Sequence, residues 1–255
     1  MGYVDGKGAW SATGRSAKQQ AKLFDDDKEQ VKLTAGIMWH KVERQTDEMG
    51  LKAELTTFVP YTQDKVELTK VTITNTADTT QKITSTVAIP MYARSASNIR
   101  DHRHVTSLLH RTFTIKDGIM IYPTLTFDER GHNKNTVFYG ALAKEMVNGK
   151  MESPVSFCPV TEEFIGEGGN FENPYYVAKN KPLPYTEGQE VDGYETVAAI
   201  RFNDCELKPG ESRSYVIALE YGTSKEELEK YWKIKYIDVD VFDKIFRRNK
   251  ELLAG

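Results

Sequence analysis

Apolar and polar residues alternate along much of this chain, most regularly through Leu51, Ala53, Leu55, Thr57, Val59 and again through Ile83, Ser85, Val87, Ile89. A period of two in runs rich in Val and Thr is the mark of half-buried β-strands, because successive side chains on a strand point to opposite faces. Further strands are expected at 31–39, 66–74, 136–142, 196–203 and 213–221, with Asn75-Thr76-Ala77-Asp78 and Lys208-Pro209-Gly210 as turns. Lys116-Asp117-Gly118 separates the runs 112–115 and 119–122, so residues 111–127 are expected to form a hairpin in which Asp-Gly supplies positive φ. So many short strands predict an antiparallel, all-β molecule.

Helical periodicity is confined to the end of the chain. Ser224 and Glu227 have the spacing of a capping box ahead of Leu228, Tyr231 and Trp232. In 239–253 the positions Val239, Phe242, Phe246 and Leu253 form an apolar stripe, with Lys244, Arg247, Arg248 and Lys250 turned mostly to water. The expected organisation is a β domain over 1–222 followed by a helical segment over 223–255. The stretch from Met151 to Val191 carries most of the prolines, the run Gly166-Glu167-Gly168-Gly169 and little periodicity. It is expected to be a long surface excursion, the kind of segment in which function concentrates.

Composition narrows the classes. With 255 residues, 39% hydrophobic and 28% charged, the chain is long and apolar enough to bury a core and is neither disordered nor fibrous. A net charge of −3 argues against a dominant nucleic-acid or anionic-membrane footprint and points to neutral or small partners. Cys158 and Cys205 fit neither a disulfide framework nor a metal or redox spacing. With no leader-like opening and no long apolar run, the expected location is a reducing cytoplasm. Asp25-Asp26-Asp27 is expected to be a solvated loop rather than a cation site.

Three clusters carry candidate chemistry. Arg100-Asp101-His102-Arg103-His104, followed by His110-Arg111, is the densest. On an extended segment His102 and His104 share a face, and two His at that spacing can chelate a metal, but no third ligand is nearby. The other readings are an Arg/His network bracing strand ends, or recognition of a hydroxyl-rich or phosphate-bearing ligand by guanidinium forks and imidazoles. In Phe127-Asp128-Glu129-Arg130-Gly131-His132 the adjacent carboxylates would face apart on a strand and cannot form an acid/base pair, so a surface turn is expected. Glu162 to Gly169 with Asn173-Pro174-Tyr175-Tyr176 lacks the Gly-Lys-Ser/Thr step of a phosphate loop. Its Glu167 among glycines, followed by aromatics, suits either a plain structured loop or one lying against a sugar. There is no nucleophile elbow, and neither Cys sits in a nucleophile context.

The run Val71-Thr-Ile-Thr-Asn75-Thr-Ala-Asp78, then Ala88-Ile-Pro-Met-Tyr92, Thr161-x-x-Phe164-Ile-Gly166 with Asn173-Pro174, and Leu207-x-Pro209-Gly210-Glu211 before a strand ending Tyr221-Gly222, resembles the N-terminal domain of glycoside hydrolase family 94. This is the family of disaccharide and oligosaccharide phosphorylases such as cellobiose phosphorylase. The wording Trp10-Ser-Ala-Thr-Gly14, Trp39-His-Lys, Gly50-Leu-Lys-Ala-Glu and Asp101-His-Arg-His-Val-Thr-Ser-Leu-Leu-His-Arg111 is most similar to the 1,2-β-oligoglucan phosphorylase branch.

The resemblance implies a two-sheet antiparallel supersandwich, galactose mutarotase-like, with C-terminal helices. It also implies a helical catalytic toroid that this sequence does not contain. In the family one Asp on that toroid protonates the glycosidic oxygen while inorganic phosphate, the co-substrate, attacks the anomeric carbon with inversion. No general base is needed because phosphate is already a nucleophile. No Asp here matches it, so no catalytic residue, metal or cofactor is expected in this chain. The sequence reads as cut at both ends, or as a split or partial reading frame. The family's sugar-facing Arg matches Arg103 best, with His104 second and His102 beside it; Arg100 and Arg111 are expected as supporting residues and Glu167 as a further contact. The implied partners are a β-linked glucooligosaccharide, the helical catalytic domain of the same enzyme and, in the parent enzyme, a homodimer mate, with no nucleic acid or membrane. The alternatives are a mutarotase-like aldose epimerase, using His102 or His104 with Glu167 or Glu195, and a scaffold module that binds no sugar.

Overall fold

The computed structural model describes residues 1–93, 107–128, 131–228, 236 and 238–253. A five-stranded antiparallel sheet runs in the order β14 (Ser156–Val160), β16 (Thr196–Leu207), β7 (Gln81–Met91), β1 (Gly2–Val4), β2 (Gly8–Trp10). Against it lies a ten-stranded antiparallel sheet: β15 (Glu190–Asp192), β8 (His110–Ile115), β9 (Gly118–Pro123), β12 (Phe138–Val147), β17 (Ser212–Gly222), β6 (Val66–Asn75), β5 (Leu51–Phe58), β4 (Trp39–Thr46) and β3 (Gln30–Gly36), with β13 (Lys150–Glu152) pairing on β12. A two-stranded ribbon pairs β10 (Leu125–Asp128) with β11 (Gly131–Lys134). Among the described residues α1 (Ala17–Ala21), α2 (Thr161–Ile165) and α3 (Tyr175–Ala178) are single turns, and α4 (Val239–Leu253) is long. The molecule is all-β and antiparallel, as the alternation predicts, and is the two-sheet supersandwich that the resemblance implies.

Alternation also sorts side chains into layers. Ile83, Ile200 and Phe202 of the smaller sheet meet Leu51, Ile73, Ile119, Ile121 and Ile217 of the larger one in the central core. The next residues along those strands point the other way: Phe58, Leu68, Met120, Leu142 and Val216 form a second apolar layer on the far face of the larger sheet. Helix α4 covers that layer. Phe242 sits edge-on to Phe58 with ring centroids 5.0 Å apart, and Phe246 edge-on to Trp39 at 5.5 Å. Asn249, on the stripe side, accepts from the Tyr61 N–H at 2.6 Å and donates to the Val59 carbonyl at 2.9 Å. Lys70 pairs with Asp243 on the same interface. Glu227 caps the turn at 225–228 by accepting from the Thr223 N–H at 2.7 Å, while its own N–H donates to Ser224 Oγ at 3.1 Å.

The sequence readings need three corrections. The strand expected at 31–39 is two strands, β3 and β4, that turn back at Ile37-Met38, with Met38 at φ 60°. Both turn residues are apolar, so no Asn-Gly pair marked the reversal, and Gly36 alone, just before it, was not enough to do so. The hairpin of β8 and β9 exists, but Ile115 pairs with Gly118 around Lys116-Asp117, and neither Asp117 nor Gly118 has positive φ. Gly118 is needed for close approach instead: a Cβ there would lie 2.1 Å from the Ala141 carbonyl oxygen. Asp117 is buried, accepting from Ser153 Oγ at 2.7 Å and pairing with Lys144 at 3.4 Å. Finally, the stretch from Met151 to Val191 is more than an excursion. It contributes β13, β14, β15, α2 and α3, and its Phe164, Val177 and Leu183 seal the outer face of the smaller sheet over Val197 and Ala199.

Candidate functional site

Arg100, His102, Arg103 and His104 lie outside the described residues. Arg111, at the start of β8, forms an ion pair with Asp192 of β15 at 3.3 Å and donates to the His110 carbonyl at 3.0 Å. It alternates in phase with Phe113 and Ile115, which pack on the far face of the larger sheet, so it braces an edge rather than facing the space between the sheets. Glu167 is exposed in the turn after α2 and makes no hydrogen bond or ion pair among the described residues. The glycines around it stop the helix: Gly166 has φ 81°, and a Cβ on Gly169 would lie 2.1 Å from the Ile165 carbonyl oxygen. That run is a helix terminus. Glu195, proposed as an epimerase carboxylate, passes its carbonyl to the Thr161 N–H at 2.8 Å. Among the described residues no group of three His, Cys, Asp or Glu converges for a metal.

Among the described residues, three concavities are candidates for a ligand site. The largest, about 740 Å³, lies between α1, the 25–28 turn and β4. Several of its polar groups bond to one another: Glu29 accepts from Trp10 Nε1 at 2.7 Å, Gln19 Nε2 at 2.7 Å and Arg44 Nη1 at 2.8 Å, and Lys22 pairs with Asp27 at 2.9 Å. A second, of about 380 Å³, opens between the sheets and is lined by Val42, Leu55, Val71, Val87, Ile89 and Ile217 together with His40, Thr57, Thr69, Ser85 and Thr86. The third, about 240 Å³, sits at the end of the sandwich where β7 finishes and β12 begins. It is walled by Pro90, Met91, Tyr92, Tyr139, Leu219 and Tyr221.

This third cleft has the composition a sugar needs: tyrosines that present a flat apolar face together with a phenolic hydroxyl. Tyr139 and Tyr221 are directly opposite on β12 and β17, so their rings project on one face. Tyr92 and Tyr221 are each 49% exposed, which leaves both reachable. Burial, with the neighbouring Tyr221 adding to it, pushes the Tyr139 phenol above its ordinary range, so it stays a neutral donor. Lys65 lies over the Tyr221 ring at 5.3 Å. Nearby, Tyr122 stacks on Phe138 at 4.4 Å, and Thr112 Oγ1 lies 3.0 Å from Thr196 Oγ1, tying β8 to β16. The Tyr139 and Tyr221 pair escaped the sequence reading. Its signal was present in the Tyr221-Gly222 strand end, but the register that sets Tyr139 opposite was not visible from the sequence.

Residues 5–236 match the family model for the glycosyl hydrolase 94 supersandwich domain. The chain belongs to this family. Among solved structures, a bacterial glucoamylase complexed with acarbose aligns with this glycosyl hydrolase 94 domain at a TM-score of 0.50 and 8% identity, covering 89% of this chain and 27% of that one. A GalM/aldose epimerase homologue from C. elegans aligns at a TM-score of 0.39 and 11% identity, over 78% of this chain and 69% of that one. A putative kojibiose phosphorylase from human microbiome aligns at 0.32 and 6% identity, over 85% and 21%. These likenesses concern fold alone. No curated protein matches the sequence. Among the described residues no helix is long and apolar enough to cross a membrane.

Proposed function

We propose that this glycosyl hydrolase 94 domain recognises a β-linked glucooligosaccharide and packs against the helical catalytic domain of a phosphorylase of the 1,2-β-oligoglucan type. The observation that carries the reading is the tyrosine-walled cleft at the end of β7, reached by the chain immediately before the Arg/His-rich segment 94–106. Tyr92, Tyr139 and Tyr221 offer stacking faces for glucose rings. Arg103 and His104 are the proposed polar contacts to hydroxyls or to phosphate, His102, Arg100 and Glu167 further ones, and Arg111 a brace.

On this reading the bond is broken elsewhere. Phosphorolysis requires one acid at the glycosidic oxygen and phosphate at the anomeric carbon, and the toroid supplies the acid. The present chain contributes wall and orientation, and by itself turns nothing over. With only part of the pocket supplied, its affinity is expected to be weak.

Calorimetric titration of the chain with sophorose and longer 1,2-β-glucans tests this. Millimolar binding that Arg103→Ala abolishes is the expected result. No heat at millimolar ligand favours the scaffold reading. Interconversion of glucose anomers by the purified chain, lost on replacing His102 or His104, favours the epimerase.

A further inference from the structure

The chamber between the sheets and the tyrosine cleft lie end to end along the same two strands. Residues 85–89 of β7, with Tyr215, Ile217 and Leu219 of β17, line the chamber. The cleft takes over from there, lined by residues 89–91 of β7 and the two that follow, and by Leu219, Glu220 and Tyr221 of β17. Ile89 and Leu219 belong to both. On β17 the side chains of Ile217, Leu219 and Tyr221 share a face, because alternate residues of a strand do, and each step of two residues covers about 7 Å. A ligand seated on Tyr221 therefore has the mouth of the chamber one such step away.

The two spaces differ in chemistry. The cleft presents phenol rings with their hydroxyls. The chamber, about 380 Å³ and so within the range of small-molecule sites, presents aliphatic side chains. Leu55, Val71, Val87, Ile89 and Leu219 all point between the sheets, yet each is only partly buried. Aliphatic groups in that position are ordinarily sealed by the facing sheet, so this surface is open to an apolar ligand. Two of the chamber's hydroxyls serve each other, Thr57 Oγ1 lying 2.9 Å from Thr69 Oγ1, and His40 is exposed. The cleft suits a sugar ring, and the space beyond Leu219 suits hydrocarbon.

We propose that cleft and chamber hold one ligand, a β-glucoside with an apolar aglycone. Its glucose ring lies against Tyr92, Tyr139 and Tyr221, and its alkyl or aryl group passes between Ile89 and Leu219 to cover Leu55, Val71 and Val87. The inference rests on the sugar reading of the cleft and adds a second selectivity to it. Sugar recognition sets which glycoside enters, and the chamber rewards the length of what the sugar carries. An extended chain is the best fit, because the passage is framed by two side chains from facing sheets.

Calorimetry on the full chain with methyl β-glucoside, octyl β-glucoside below its micelle concentration, and octan-1-ol tests this. Each methylene buried tightens binding about 4-fold, so the octyl glucoside is expected to bind about 100-fold or more tighter than the methyl glucoside. Val42→Trp and Val71→Trp fill the chamber from β4 and β6, and neither residue lines the cleft. Each should return the octyl glucoside to the affinity of the methyl glucoside and leave the latter unchanged. On the unaltered chain, the methyl NMR signals of Leu55 and Val71 should move with the octyl glucoside and not with the methyl glucoside. Equal affinities for the two glucosides overturn the inference and leave the sugar reading standing. Octan-1-ol binding as tightly as octyl glucoside removes the sugar from the site and overturns both, as does no binding of either glucoside. An octyl gain that survives both tryptophan variants, or still Leu55 and Val71 signals, places the chain elsewhere and overturns the inference. So does an equal gain from a third glucose unit that Val71→Trp abolishes, which would put glucan rather than hydrocarbon in the chamber.

Discussion

Glu220 is a carboxyl with no reason to be ionised, and replacing it tests how the far face of the larger sheet is built. It lies between Gly140 and Val66 in the register of β17, is 5% exposed, and neither carboxyl oxygen has a hydrogen-bond partner among the described residues. Leu228 and Tyr236 belong to the apolar cluster on that face. Burial without compensation pushes the group up from 4.5 to about 8. The sign follows from proton counting. Between those values the unfolded chain has lost the proton and the folded chain holds it, so stability is greatest below pH 4.5 and declines as pH rises toward 8. The decline is about 1.4 kcal/mol per pH unit, on the order of 5 kcal/mol over the whole window. Glu220→Gln keeps the shape and cannot ionise. Urea unfolding followed by tryptophan fluorescence from pH 5 to 8 should show the variant close to the parent at the acid end and progressively more stable above it. Using the difference between the two curves cancels every other titrating group. Parallel curves would refute the reasoning.

Asn75 is the knot of the turn after β6: its amide donates to the Thr79 and Leu207 carbonyls at 2.8 Å, and its oxygen accepts from the Ala77 N–H at 3.0 Å and Gln81 Nε2 at 2.7 Å. Asn75→Ala strands those groups and is expected to cost about 3 kcal/mol, read as a fall in Tm of about 6–12 °C by circular dichroism. Phe242→Ala leaves a void against Phe58 and should cost about 3–5 kcal/mol, with limited proteolysis releasing α4 before the sheets. Cys158, whose thiol burial pushes up to about 12, and Cys205, raised for the same reason, should resist a disulfide-exchange reagent in the folded chain at pH 8 and react fully in denaturant.

The architecture was legible where local chemistry and tertiary packing agree. β5 and β6 alternate because one face meets the central core, and the stripe of α4 reads true because Phe242 and Phe246 have a sheet to lie on. Legibility failed where a residue serves a neighbour remote in sequence. Gly118 is small on account of Ala141, not of its own φ. The β3 to β4 reversal uses Ile37 and Met38, whose exposure is a property of the assembled fold. The polar site behaved similarly. A dense Arg/His run announces itself in any sequence, whereas Tyr139 and Tyr221 became a pair only once the register of β12 and β17 was known. The Gly166 to Gly169 run, which suited either a plain structured loop or one lying against a sugar, ends a helix, a further use of glycine that its sequence does not distinguish.

The most direct measurement of the central claim is ring-resolved NMR of the tyrosine-labelled chain during titration with a 1,2-β-glucan. The account predicts that Tyr92, Tyr139 and Tyr221 shift together and saturate while Tyr175 and Tyr185, on the opposite covering of the smaller sheet, stay still. Shifts confined to Tyr175 and Tyr185, or a spectrum unmoved by saturating glucan, would contradict it.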